Sequence, residues 1–344
     1  MKSLLVVFGT RPEYLKLKPL VKVFQSHGVP FCFLQVLQHE TLTIEEEREP
    51  FYKKVALSSD PTLQRLSNLA ASISKAVEPF VRSATAVFVQ GDTATAFFTA
   101  ISAFHFQVPI YHVEAGLRTF DLANPFPEEG YRSMISRIAT YHLCPDEAAK
   151  KTLLREGISQ NLLVVGNTIL DLVRSYEMAV TPGTLVPITI HRRENWETLP
   201  QIVEAIHSLA QRRTDLQFLW IFHPNPSLKE TVQTTLNRLS PLDNLRCEDP
   251  CSHKQLCDYI HRAYCLITDS GGIQEEASFL GKYCFVIRKT TERSSIPAEY
   301  ICTVDSVGSL EDQFLQTEIN PLPPCTVYGN GFAADAIYTH LQSF

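Results

Sequence analysis

Asp269-Ser270-Gly271-Gly272-Ile273-Gln274-Glu275-Glu276-Ala277 follows the apolar run Tyr264-Cys265-Leu266-Ile267 and leads into a helix-like segment that ends at Gly281. It reads as a strand, a glycine turn and the start of a helix. Such a turn exposes the first backbone N–H groups of the helix, where the dipole is positive, and the two glycines let a diphosphate approach with no Cβ in the way. Glu276, about one and a half turns further on, is placed to take the two hydroxyls of a ribose. The arrangement suits a nucleotide diphosphate sugar; a well-capped surface turn accounts for the same residues.

The same alternation runs outward from this stretch. Continuous apolar runs at 4–8, 31–37, 86–90, 109–112, 141–144 and 162–165 alternate with helix-like segments such as 13–25, 63–80 and 93–104. Continuous rather than alternating runs imply strands covered on both faces, with the helices as crossovers of a parallel sheet. The pattern restarts after 167–178 and the loop Thr181-Pro182-Gly183, with runs at 186–190, 217–222, 245–247, 264–268, 283–287 and 301–304. The expected class is therefore α/β: two Rossmann-like, doubly wound domains, 1–178 and 179–328, facing a cleft, with the final segment 329–344 packing back on the first.

At 344 residues two domains of ordinary size are expected, and 44% hydrophobic with 20% charged residues describes a globular chain with no run long enough to span a bilayer. The start, Met1-Lys2-Ser3 before Leu4, lacks the small-residue cleavage pattern of a signal peptide and reads as a first buried strand. A formal charge of -6 gives no global attraction for nucleic acid, so an anionic ligand must be held by local cations and helix ends. Nine cysteines scattered among strand-like runs suit free thiols in a reducing cytoplasm. Cys247, Cys251, His253 and Cys257 lie close together but lack the paired C-x-x-C spacing, so no metal is expected.

Open sheets bind ligands beyond the carboxyl ends of their strands, and the polar motifs fall there. Arg11 and Lys16 stand at the start of the first helix, where two cations hold phosphate oxygens or simply flank a cap. Asp92, in Gly91-Asp92-Thr93, either caps a helix or presents a carboxylate. Glu114 lies in the loop that includes Arg118, and Glu128 with Glu129 follows Asn124-Pro125-Phe126-Pro127 at the mouth of another helix. Acidic loops brought together raise pKa values and cost stability, a crowding tolerated mainly for proton transfer. His191-Arg192-Arg193-Glu194 and His223 follow the first two strands of the second half; a lone His is more often packed and hydrogen-bonded, but their shared placement favours function. Arg288 and Arg293 add positive charge near the glycine turn.

In order and spacing, the segments 8–13, 91–93, 112–119, 166–168, 191–194 and 269–277 resemble the non-hydrolysing UDP-N-acetylglucosamine 2-epimerases, and the resemblance continues through Tyr328-Gly329-Asn330-Gly331. It implies the GT-B type fold of nucleotide-sugar glycosyltransferases and no cofactor or essential metal. The implied reaction interconverts UDP-GlcNAc and UDP-ManNAc by anti elimination of UDP to 2-acetamidoglucal, followed by re-addition. By resemblance Asp92, Glu114 and Glu128 are the acid/base carboxylates, with their individual roles open, and His191 lies beside the diphosphate or glycosidic oxygen. Arg11, Lys16, Arg118, Arg192, His223 and Arg293 line the substrate, Ser270, Gly271 and Gly272 bind phosphate, and Glu276 binds the ribose. A cytoplasmic homodimer serving polysaccharide biosynthesis is expected.

Two segments depart from the family pattern. Where relatives usually carry a Gln-His-Arg type segment feeding a regulatory UDP-GlcNAc site, Gln38-His39 is followed here by Glu40-Thr41, which speaks against allosteric activation. After Thr291-Glu292-Arg293 a Pro-Glu pair is usual, and Ser294-Ser295 stands instead. Alternatives are an epimerase of a UDP-2,3-diacetamido sugar, a hydrolysing epimerase releasing ManNAc, a GT-B glycosyltransferase and a silent nucleotide-sugar sensor.

Overall fold

The computed structural model describes residues 3–37, 44–58, 60, 62, 64–176, 183–288, 293 and 295–343, the side chain of Glu45 apart. Gln38-His39-Glu40-Thr41, the end of the helix expected at 167–178, Thr181-Pro182, Thr290-Thr291-Glu292 and Ser294 lie outside them. The chain divides into two compact units, Met1–Arg174 with Tyr328–Phe344, and Ser175–Val327.

The first unit runs β1 (Ser3–Phe8), α1 (Arg11–Ser26), β2 (Phe31–Leu37), β3 (Tyr52–Ala56), α2 (Arg65–Val81), β4 (Ala84–Gln90) and α3 (Ala94–His105). It continues through β5 (Ile110–Val113), α4 (Glu128–Ile138), β6 (Tyr141–Cys144), α5 (Glu147–Arg155), β7 (Leu162–Val164) and α6 (Thr168–Arg174). The strands are all parallel, in the order β3-β2-β1-β4-β5-β6-β7. Because β2 and β4 flank β1, the winding reverses between β1 and β4, and a crevice opens there beyond the strand ends. Both sheet faces are covered, one by the cluster with Val7, Val87 and Ile135 and the other by the cluster with Phe8, Phe33 and Phe88. Strand β3 was not legible as an apolar run: it is an edge strand whose Lys53 and Lys54 are exposed, the composition that keeps an edge from pairing with other chains.

The second unit runs β8 (Leu185–Thr189), α7 (Leu199–Arg212), β9 (Gln217–Ile221), α8 (Pro226–Leu236), β10 (Leu245–Glu248) and α9 (His253–His261). It ends with β11 (Leu266–Thr268), α10 (Gly271–Phe279), β12 (Cys284–Ile287), β13 (Ile301–Val304) and α11 (Val307–Gln316). Its parallel order is β10-β9-β8-β11-β12-β13, so this switch point lies between β8 and β11. No described helix is long and apolar enough to cross a membrane.

The chain then returns to the first unit as α12 (Ala333–Leu341), which packs on α1 and α6. Asp171 caps it, accepting hydrogen bonds from the N–H groups of Ala333 at 3.0 Å and Ala334 at 2.7 Å. The return crosses Gly166, where φ is +94° and a Cβ would stand 2.9 Å from the Tyr328 carbonyl oxygen. Only glycine fits both demands. The crossing brings the Asn167 N–H to within 2.7 Å of that same carbonyl and so fixes Asn167 at the carboxyl end of the sheet.

His112, in β5, is fully buried and holds the Gly91 carbonyl through Nε2 at 2.8 Å. Burial pushes its pKa down to about 3 from 6.5. The unfolded chain takes up the proton near pH 6.5 while the folded chain refuses it, so the stability this group contributes is lost as pH falls from 6.5 toward 3. Between about pH 8 and pH 5 the loss amounts to about 2 kcal/mol. Asp171, raised to about 6 by burial, titrates with the opposite sign, so the test compares variants rather than conditions. Urea unfolding of His112→Gln should lose less stability across this pH range than wild type by that amount; equal losses would exclude the assignment.

Candidate active site

Each switch point is fastened by one buried carboxylate. In the first unit Glu13, in the opening turn of α1, accepts from the N–H groups of Gly9 at 3.1 Å and Thr10 at 2.8 Å, the Thr10 hydroxyl at 2.8 Å and the Thr93 hydroxyl at 2.6 Å. It thereby ties the loop after β1 to the loop after β4. Burial raises its pKa, against these hydrogen bonds. Sequence reading passed over Glu13, because a glutamate at that place also reads as half of a capping box with Thr10.

Glu114 sits just beyond β5 with φ +65°, a left-handed conformation uncommon for a residue with a side chain. Both its carboxylate oxygens lie 2.6 Å from the Lys16 ammonium. Asn167 donates to it at 3.1 Å, and Gln90, the last residue of β4, donates as well. Gly91, at φ +67°, lies against it, and a Cβ there would be 3.6 Å from Oε2. Lys16 is therefore gathered with a carboxylate, whereas Arg11 stands exposed at the start of α1.

Asp92 is paired with Arg132 of α4, which also reaches Glu129 at 3.4 Å. Glu129 is buried and accepts from the Phe120 N–H at 3.0 Å, so it braces the loop ahead of α4. Glu128, half-buried at the first position of α4, lies in the same segment. Arg132 was missed in the sequence, since nothing local to α4 points to a partner at position 92. The Arg118 guanidinium is engaged within the first unit, donating to Glu156 at 2.8 and 3.0 Å, the Leu117 carbonyl at 2.8 Å and the Ser136 hydroxyl at 2.9 Å.

In the second unit the fastener is Asp269, fully buried after β11. It accepts from the N–H groups of His191 at 3.0 Å and Arg192 at 2.8 Å and from the Asn195 side chain at 3.0 Å. His191 Nδ1 lies 3.2 Å from it, and the His191 ring stacks on His223 at 5.6 Å. Burial lowers the pKa of both imidazoles, with Asp269 pulling the other way. Burial thus favours the neutral form of His191 near pH 7, with Nδ1 facing the Asp269 carboxylate.

Ser270 occupies the N-cap position of α10, and Gly271 and Gly272 lie in its first turn; a Cβ at Gly272 would meet nothing within 4 Å. That open, positively polarised helix end can receive an anion. Arg293 donates to the buried Glu275 of α10, and Arg288 to Glu194 at 3.3 Å, so both are engaged in bracing the segments around the turn. One turn on from Gly272, Glu276 meets His253 Nε2 at 3.2 Å.

The family model for UDP-N-acetylglucosamine 2-epimerase matches residues 42–341. The chain belongs to the UDP-N-acetylglucosamine 2-epimerase family. A UDP-N-acetylglucosamine 2-epimerase of Salmonella borreze is 33% identical over 325 residues, covering 86% of this chain and 84% of its own. The S. aureus MnaA–UDP co-structure superposes with a TM-score of 0.84 at 30% identity, covering 99% and 96% of the two chains. The Neisseria meningitidis UDP-GlcNAc 2-epimerase bound to UDP-GlcNAc gives 0.82 at 27% identity, covering both chains completely. Arg11, Glu13 and Lys16 precede the segment matched by the family model but lie within these structural alignments.

Replacing Asp269 by asparagine turns an acceptor toward the donors of the His191 loop into another donor. Asp269→Asn should lower the unfolding free energy of the second unit by roughly 2–4 kcal/mol in chemical denaturation. A loss below experimental error would show that the loop does not depend on this carboxylate.

Proposed function

We propose that the chain is a non-hydrolysing UDP-GlcNAc 2-epimerase, interconverting UDP-GlcNAc and UDP-ManNAc. The observation that carries the reading is the Glu114 carboxylate, held in a left-handed backbone by Lys16, Asn167 and Gln90 in a chain of this family. Family members with UDP and UDP-GlcNAc bound support the ligand class.

In this mechanism a carboxylate of the first unit removes the proton from carbon 2, the C1–O bond to UDP breaks, and 2-acetamidoglucal forms. UDP then adds back as a proton returns to the other face. We assign base and acid to Asp92, Glu114 and Glu128, with Glu114 foremost because Lys16 balances its charge and the two amides fix its direction. Departing UDP is a polyanion that must be retained. The α10 terminus with Ser270, Gly271 and Gly272 takes its phosphates, Arg11, Arg192 and His223 add donors, and Glu276 takes the ribose hydroxyls. His191, kept neutral by burial and held in place beside Asp269, supplies Nε2 to the glycosidic oxygen region. The expected homodimer is part of the same proposal and is read by sedimentation.

Incubation with UDP-GlcNAc in heavy water, followed by proton NMR, tests the reading. Deuterium at carbon 2 together with UDP-ManNAc is expected. Free ManNAc would establish a hydrolysing enzyme instead, and an unchanged spectrum at high enzyme concentration would refute the assignment for this substrate. Glu114→Gln should slow carbon-2 exchange by roughly 10²–10⁴-fold while still binding UDP; near-normal exchange would remove Glu114 from the acid/base role.

A further inference from the structure

His253 opens α9 and Cys257 follows one turn later on the same face, so both side chains point the same way. Glu276 reaches them from α10. His253 Nε2 lies 3.2 Å from Glu276 Oε1, Cys257 Sγ lies 3.7 Å from His253 Nε2, and Sγ lies 3.8 Å from Glu276 Oε2. One ligand atom from each of the three falls within 4.8 Å of the others. Metal–ligand lengths near 2.3 Å for sulfur and 2.0–2.1 Å for nitrogen and oxygen put tetrahedral neighbours about 3.3–3.6 Å apart, close to the spacing seen. The Tyr176 hydroxyl lies 3.0 Å from His253 Nδ1, the outer contact that orients a metal-ligating imidazole and leaves Nε2 for the ion. Adjacency in sequence obscured the set, because the third donor comes from a different helix rather than from Cys247 or Cys251.

We propose that His253, Cys257 and Glu276 bind a thiophilic divalent cation such as Zn²⁺, with a fourth position left to water, and that this cation competes with the nucleotide for Glu276. The site itself stands on the three side chains; the competition rests on the UDP-sugar reading given above. A carboxylate that coordinates a cation has its oxygens engaged and its charge neutralised, so it is lost as an acceptor for the ribose hydroxyls. The ligand is the thiolate, so binding displaces the Cys257 proton to solvent. The consequence is an enzyme whose nucleotide affinity falls as free zinc rises.

Co²⁺ is the probe, titrated into the full-length, reduced protein. A sulfur-to-cobalt charge-transfer band saturating near one equivalent is expected, displaced by Zn²⁺, abolished in Cys257→Ser and weakened at least about tenfold in affinity in His253→Gln. No band, or a band that persists in Cys257→Ser, would overturn the site and leave hydrogen bonding as the whole account of these distances. Saturating UDP should expel the Co²⁺ and bleach the band; UDP binding of equal strength to metal-free and Co²⁺-loaded protein would overturn the competition. Failure of UDP to bind the metal-free protein would refute the UDP-sugar reading and the competition with it, while the band decides the metal site by itself.

Discussion

Loops that leave the carboxyl ends of parallel strands carry backbone N–H groups with no strand to receive them, and in both units a buried carboxylate takes that part. Glu13 gathers the loops after β1 and β4, and Asp269 gathers those after β8 and β11. These are the strand pairs that flank each reversal of winding. A charge buried this deeply is tolerable only when its lone pairs are filled, and the donors available are those of the functional loops. The requirement to satisfy one carboxylate therefore sets the shape of each candidate site.

The two units divide the chemistry by the kind of charge they present. The first sets Glu114 and Asp92 beside Lys16 and Arg132, balancing acids that would otherwise repel one another. The second offers a helix terminus and a neutral imidazole, features that accept negative charge without a fixed cation at the center. Asn167 shows how far support extends: its side chain reaches Glu114 only because α12 returns across Gly166 and pins its backbone.

Strands, glycine turns and the order of motifs were legible in the sequence because each depends on neighbours within a few residues. Short continuous apolar runs bounded by turn residues read as strands covered on both faces, and Gly271-Gly272 after such a run opens a helix. Strand β3 escaped notice because an edge strand needs no continuous apolar face. The partner of Arg118 was hidden for a different reason: Glu156, which accepts two of its hydrogen bonds, lies 38 residues on. The pairing of Arg132 with Asp92, and the approach of Glu276 to His253 and Cys257, were hidden because the partners lie on other elements.

The sequence by itself determined the class of fold, the carboxyl-end placement of the motifs and the family, since periodicity and local spacing carry all three. Only the tertiary structure decided which charges are paired. Partner choice between side chains depends on crossovers that bring together residues tens of positions apart, and no local pattern encodes those distances. Glu13, Lys16 and Asp269 were in plain view as letters; that Glu13 and Asp269 each close a switch point, and that Lys16 belongs to Glu114, followed from how the parallel strands were wound.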